Sequence, residues 1–239
     1  MPFLHGPPFW PAMPYWQRQA IAVAGLALWL TLLALAALAV RRRWNGQREW
    51  SRKLVHIGSG AVVPLAWLGS IDRRIAIPAA GLITLLAALN HRLRVLPAIE
   101  DVGRHSYGTI AYGASITTLL MLYWPADPAA VAAGVLVMAL GDGLAGLLGP
   151  LLASPSWRVW GQRKSLLGTS AMAGGSLAML LLVQQLATGA GAPHPSLPGL
   201  LAITLAAVLL EQAAVVGIDN FSVPMVSGWL WHSLSQAVG

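Results

Sequence analysis

The stretch Ala129-Ala-Val-Ala-Ala-Gly-Val-Leu-Val-Met-Ala-Leu140-Gly-Asp142-Gly-Leu-Ala-Gly-Leu-Leu-Gly149 decides the fold. It is apolar over the length of a bilayer crossing, which takes about twenty residues, yet it carries a carboxylate between two glycines. A charged group in such a segment is expensive and by default functional. The flanking glycines remove side-chain bulk, so a phosphate group or another backbone can approach closely. Gly141, Ala145 and Gly149 also fall at the four-residue spacing of packed membrane helices. Packing accounts for the glycines but not for Asp142. Further on, Gly161-Gln-Arg-Lys164-Ser-Leu-Leu-Gly-Thr169 sets Arg163 and Lys164 just before the next apolar run. A carboxylate and a lysine are the minimum equipment for holding a metal-nucleotide. The run is not a Walker loop, which needs a glycine, four residues and then Gly-Lys-Ser or Gly-Lys-Thr; here Lys164-Ser165 follows Arg163.

Composition extends this reading to the whole chain. Its 239 residues are 56% hydrophobic and 10% charged, with a mean hydropathy of +0.65. Soluble domains carry about 25% charged residues, so the composition is that of an integral membrane protein. The absence of cysteine excludes disulfides and thiolate metal sites. The net charge of +7 reports membrane topology and contact with anionic lipid. No nucleic-acid motif accompanies it, so no nucleic-acid partner is expected.

Residues 1–19 are rich in proline and aromatics and read as an interfacial tail, with the rings at headgroup level. Residues 20–239 read as one membrane-embedded domain: an all-α, polytopic helix bundle of about eight transmembrane helices. The expected spans are residues 20–40, 54–68, 75–89, 107–124, 129–152, 166–186, 199–217 and 221–234. Polar connections include residues 154–164. Arg41-Arg42-Arg43 stop the first span and place its end in the cytoplasm. Alternation from there puts twelve of the fifteen Lys and Arg residues on the cytoplasmic side and three, Arg18, Arg73 and Arg74, on the other, as the positive-inside rule requires. Both termini then lie outside the cytoplasm. Lys53, His56, Arg104, Asp142, Lys164, Glu211, Asp219 and Asn220 all fall at or near cytoplasmic ends of spans, which suggests a site open to the cytosol.

Each group also has a plainer reading. Lys53 and His56 are three apart and share a helix face; they suit a phosphate contact with a polar partner, or a snorkelling base beside a core histidine. Arg104 can fork onto phosphate or onto a lipid headgroup, and Tyr107 can anchor at the interface. Asp219-Asn220 can cap the last helix, and Glu211 can sit in a buried ion pair. Magnesium binds through one or two carboxylates plus substrate phosphate oxygens, and Asp142 and Asp219 are candidates for that role.

Taken together, the motifs resemble the polyprenol kinase family, whose members phosphorylate dolichol, phytol or farnesol. The pieces are Arg52-Lys53-x-x-His56-x-x-x-Gly60, Ser106-Tyr107-Gly108, Gly141-Asp142-Gly143-x-Ala145-x-x-x-Gly149, Lys164-Ser165-x-x-Gly168-Thr169 and Glu211 followed by Asp219-Asn220-x-x-x-Pro224. They cover residues 52–224 in order. The Val55–Gly60 and Lys164–Thr169 runs look most like the branch of photosynthetic bacteria and plastids that acts on phytol. Leu167 stands where many relatives are acidic, and Arg163 where many have a second lysine. The resemblance implies phosphorylation of an isoprenoid alcohol within the membrane by CTP, with Mg2+ as cofactor. It associates the glycine–aspartate and lysine–serine regions with the nucleotide.

The expected site follows. Asp142, Lys164, Asp219 and Glu211 are catalytic, with Asp142 and Asp219 on the metal. Gly141, Gly143, Gly146, Gly149, Lys164, Ser165, Gly168, Thr169, Lys53, Arg104 and Asn220 face the nucleotide, and His56 and Tyr107 the lipid alcohol. Glu211, Asp219 and His56 are candidates for the general base. The expected location is a bacterial inner membrane or a thylakoid, with the site on the cytoplasmic face. Two rivals share these features: a cytidylyltransferase that makes a CDP-lipid, and a small transporter. A transporter site lies near the midplane between repeats, whereas this chain shows no repeat and gathers its charges at one face.

Overall fold

In a computed structural model, residues 13–44, 48–93 and 107–237 are described, and these are helical apart from one short hairpin and the connections. The helices are α1 (Tyr15–Arg43), α2 (Arg48–Gly60), α3 (Val62–Leu68), α4 (Arg73–Leu93), α5 (Gly108–Tyr123), α6 (Pro128–Leu136), α7 (Gly143–Leu148), α8 (Leu166–Gly189), α9 (Leu197–Ala213) and α10 (Asp219–Gln236). Among the described residues, four stretches are long and apolar enough to cross a membrane: α1, α4, the continuous segment Pro128–Leu148, and α8. Helices α5 and α9 are apolar but shorter.

The segment that opened the sequence reading is the centre of the bundle. Every residue of α6 is buried, because its small side chains let neighbouring helices close on it from every side. Its alanines and Gly134 let neighbours come close: a methyl on Gly134 would collide with the backbone of Pro224 and Gly228 on α10. Asp127 starts the helix by accepting from the Ala130 N–H at 3.0 Å, with Pro128 at the first helical position. Between α6 and α7 the helix widens into a π-helical turn, Val137–Asp142. Such turns offset the hydrogen-bond ladder and concentrate at functional sites.

Helix α1 begins at Tyr15, ahead of the expected first span. Two local expectations are corrected. The expected span over residues 54–68 is two helices, α2 and α3, separated at Ala61. Pro64 supplies the reason: its ring opposes the carbonyl of the residue four before it, here Gly60, and it has no N–H to donate. The polar connection at residues 154–164 contains an antiparallel hairpin, β1 (Ser156–Val159) and β2 (Gln162–Ser165). Trp160 and Gly161, both with positive φ, form its turn.

At the end of the bundle where α3 meets α4, Gln19 donates to the Ser70 carbonyl at 3.0 Å and Trp124 to that of Ile71 at 2.9 Å. The Tyr15 hydroxyl donates to Asp72 at 2.7 Å. The Arg74 N–H, and after it this hydroxyl, hold the Asp72 carboxyl below the usual carboxylate range. Asp127 accepts from, or pairs with, His232 Nδ1 at 2.7 Å, which ties α10 to the start of α6.

Candidate functional site

The expected charges gather where α2, the π-helical turn, α7, the hairpin and the ends of α8 and α9 meet. Helix α2 packs on both the π-helical turn and α7. Gly143 permits the approach, since a methyl there would overlap Ile57 of α2. Lys53, buried on α2, then reaches Asp142: its ammonium donates to the Asp142 carbonyl at 3.0 Å and to Oδ2 at 2.6 Å. His56 Nε2 lies 3.3 Å from the same Oδ2 and 3.3 Å from the Met138 carbonyl. Its ring packs on Tyr112, with centroids 4.6 Å apart. The Tyr112 hydroxyl donates to the Val135 carbonyl at 3.5 Å. Tyr112 was not among the expected residues; a tyrosine in an apolar helix carries no local signal of what it will face.

The second pair repeats the first. The Lys164 ammonium, delivered by β2, donates to the Glu211 carbonyl at 2.7 Å and to its Oε1 at 2.5 Å. Each lysine is therefore held by both the main-chain carbonyl and the carboxylate of one acidic residue. An ammonium has three donors, so each lysine keeps one N–H for something else. Gln212, also missed, organises the second pair. Its Nε2 donates to Glu211 Oε2 and to Thr169 Oγ1, both at 2.9 Å. Its Oε1 accepts from Trp157 Nε1 at 3.1 Å. Hairpin, α8 and α9 are thus locked around Lys164.

Asp219 is the first residue of α10, and the N-cap position before it is held by Ile218, so Asp219 is not the expected N-cap. Its carboxylate accepts from Asn220 Nδ2 at 3.3 Å and lies within electrostatic reach of Asp142, Lys164 and Glu211. The structure thus brings together Lys53, His56, Asp142, Lys164, Glu211 and Asp219. Tyr107 is exposed and its ring contact is with His91 of α4, with centroids 5.0 Å apart. Arg104 lies outside the described residues.

The glycines serve packing in the structure. A methyl on Gly141 would strike Met172 and Ser176 of α8, and one on Gly149 would meet Ala145, Ser165 and Gly168. Ser165 caps α8 by accepting from the Gly168 N–H at 3.2 Å. Gly146 differs, because its methyl would overlap the Cε of Lys53 and crowd Nζ. That neighbour is the free end of a flexible chain, so Gly146→Ala should displace the ammonium while costing the fold little. A hydrogen bond to a charged group contributes about 1.5–3 kcal/mol. We expect turnover to fall about tenfold or more at nearly unchanged thermal stability; a large drop in melting temperature at full specific activity would show that Gly146 serves packing instead.

Fold and site define a class: an apolar helix bundle with two lysine–carboxylate pairs and a further carboxylate at one end. Comparison supplies the family. The chain is 38% identical over 217 residues to the phytol kinase of Synechocystis sp., an alignment covering 90% of this chain and 91% of that protein. No family model matches the chain, and no solved structure matches it. With this identity over nearly its whole length, the chain belongs to the phytol kinase family within the polyprenol kinases.

Proposed function

We propose that this protein transfers the γ-phosphoryl group of CTP to phytol at the cytoplasmic face of the membrane. The observation that carries the reading is the paired lysine geometry, in which two ammonium groups each keep a donor at the end of the bundle where Asp142 and Asp219 converge. The relative's activity supplies the phosphoryl-transfer class and the alcohol. CTP rests on the resemblance of the Gly141–Gly149 and Lys164–Thr169 runs to the nucleotide regions of the family.

Phosphoryl transfer demands positioning and charge stabilisation more than covalent chemistry from the protein. Lys53 and Lys164 each direct their remaining N–H at phosphate oxygens, while their carboxylate partners keep them from collapsing onto lipid. The phytol tail lies among the apolar helices and its hydroxyl rises to the headgroup level. The alcohol oxygen attacks the γ-phosphorus, CDP leaves and the hydroxyl proton is released. A site at the membrane edge keeps water, the competing acceptor, scarce.

The residues present suit magnesium. Asp142 Oδ2 is taken by Lys53 and His56, but Oδ1 has no partner among the described residues. Among those residues no cluster of three or more His, Cys, Asp or Glu side chains is built to hold a metal. Magnesium needs no such cage, since it uses one or two carboxylates with substrate phosphates. Asp142 and Asp219 would hold it, and when bound it would offset the charge of the phosphates.

The decisive assay offers purified protein in detergent labelled CTP or ATP together with phytol, farnesol, geranylgeraniol or dolichol. Phytyl monophosphate and CDP are expected. Release of pyrophosphate from CTP and a lipid phosphate would replace the kinase by a cytidylyltransferase. The same reading includes about eight crossings, a span taking about twenty residues, with both termini outside the cytoplasm. A reporter fused after Gly239 should therefore be inactive if it requires cytosol and active if it requires export; the reverse result would overturn the topology and the side assigned to the site.

A further inference from the structure

The hairpin has two faces with different fates. The register pairs Trp157 with Lys164 and Arg158 with Arg163. Cross-strand partners share a face and successive residues alternate. The Trp157–Lys164 face is spent on α9, through Gln212 and Glu211. The opposite face carries the two arginines, both exposed. Like charges directly opposite on a hairpin repel. Among the described residues neither has an acidic partner; Arg163 Nε donates only to Ser156 Oγ, at 3.3 Å. Such a pair calls for an anion from outside the chain.

The surroundings say which anion. Trp160, at the turn, is 76% exposed. The segments that enter and leave the hairpin present Leu151, Leu152 and Leu166 outward, each more than half exposed. Leucines at the base, an exposed tryptophan and arginines together match the boundary between acyl chains and headgroups. We propose that the arginine face and tip of this hairpin form a lipid-binding foot that takes the phosphate of anionic lipids in the leaflet beside the site. The foot holds the hairpin, and with it Lys164, against the membrane surface. A basic residue near an anionic surface gains roughly fivefold in binding, so the two arginines together give about a 30-fold preference for anionic over neutral lipid. The inference rests on the membrane reading of the chain and is independent of the kinase reading.

The chain has no cysteine, so Gln162→Cys gives one attachment point for an environment-sensitive fluorophore beside the tip. The labelled protein is placed in nanodiscs of phosphatidylcholine, with or without phosphatidylglycerol. Anionic lipid should shift the emission to the blue, and high salt should reverse the shift by screening. Arg158→Gln with Arg163→Gln should remove the dependence on lipid charge, and Arg158→Lys with Arg163→Lys should retain it. Equal emission in both lipids, or a shift that survives the glutamine pair, would overturn the proposal. So would a shift on adding CTP in neutral discs that the glutamine pair abolishes, because the arginines would then belong to the nucleotide. Alcohol phosphorylation measured on the same discs separates failure of the foot from failure of the kinase reading.

Discussion

Asp142→Asn is expected to lower turnover by about 10²–10³-fold, the range for removing one preorganised electrostatic contact, while the bundle still folds. The asparagine matches the carboxylate in shape and can accept from Lys53, so the link between α2 and the π-helical turn persists as a hydrogen bond. What disappears is the negative charge. Lys53 is 5% exposed, and stripping a buried charge of its partner costs about 3–5 kcal/mol; the retained hydrogen bond offsets part of that. Size-exclusion profile and thermal unfolding must therefore be read beside activity. Lys53→Met combined with Asp142→Asn sharpens the test. If the Lys53–Asp142 pair served packing alone, the double variant would regain both stability and activity. We expect it to regain stability alone. Near-normal turnover in Asp142→Asn would return the whole segment to helix packing.

Lys164→Met is expected to cost a comparable factor, about 10²-fold or more, accompanied by a higher apparent requirement for nucleotide. Methionine preserves the aliphatic stem and removes the three donors. Glu211 then keeps Gln212 as a partner, so the carboxylate is not left bare and the hairpin stays attached through Trp157 and Gln212. Lys164→Arg should recover part of the activity, since charge returns but the guanidinium cannot reproduce a compact ammonium held by a carbonyl and a carboxylate. Glu211→Gln should be milder than Lys164→Met, because the amide oxygen still accepts from Lys164. An unchanged rate for Lys164→Met at every nucleotide concentration would remove this lysine from the site and leave the Lys164–Glu211 pair a structural clasp.

The membrane class, the all-helical bundle and the identity of the central segment follow from the sequence because they depend on local quantities. Hydropathy over a bilayer's length and a charge amid apolar residues can each be read from a window of chain. Asp142, Lys164 and Glu211 stand out for the same reason: a charge in apolar surroundings is visible without knowing its neighbours. Their partners are not. Lys53 lies 89 residues from Asp142, and Lys164 lies 47 from Glu211. Only the packing of α2 on the π-helical turn, and of the hairpin on α9, decides that each lysine is clasped by one acidic residue's carbonyl and carboxylate.

The π-helical turn escaped for a related reason, since one extra residue in a turn leaves the apolar pattern unchanged. Gln212 and Tyr112 are ordinary residues until Thr169, Trp157 and His56 are set beside them. The hairpin's division into a site face and an arginine face depends on register, and a shift of one residue would exchange the two. Sequence determines which groups must be satisfied somewhere; the tertiary structure alone decides with whom, because the pairing energy lies in contacts a few ångströms long between segments far apart in the chain.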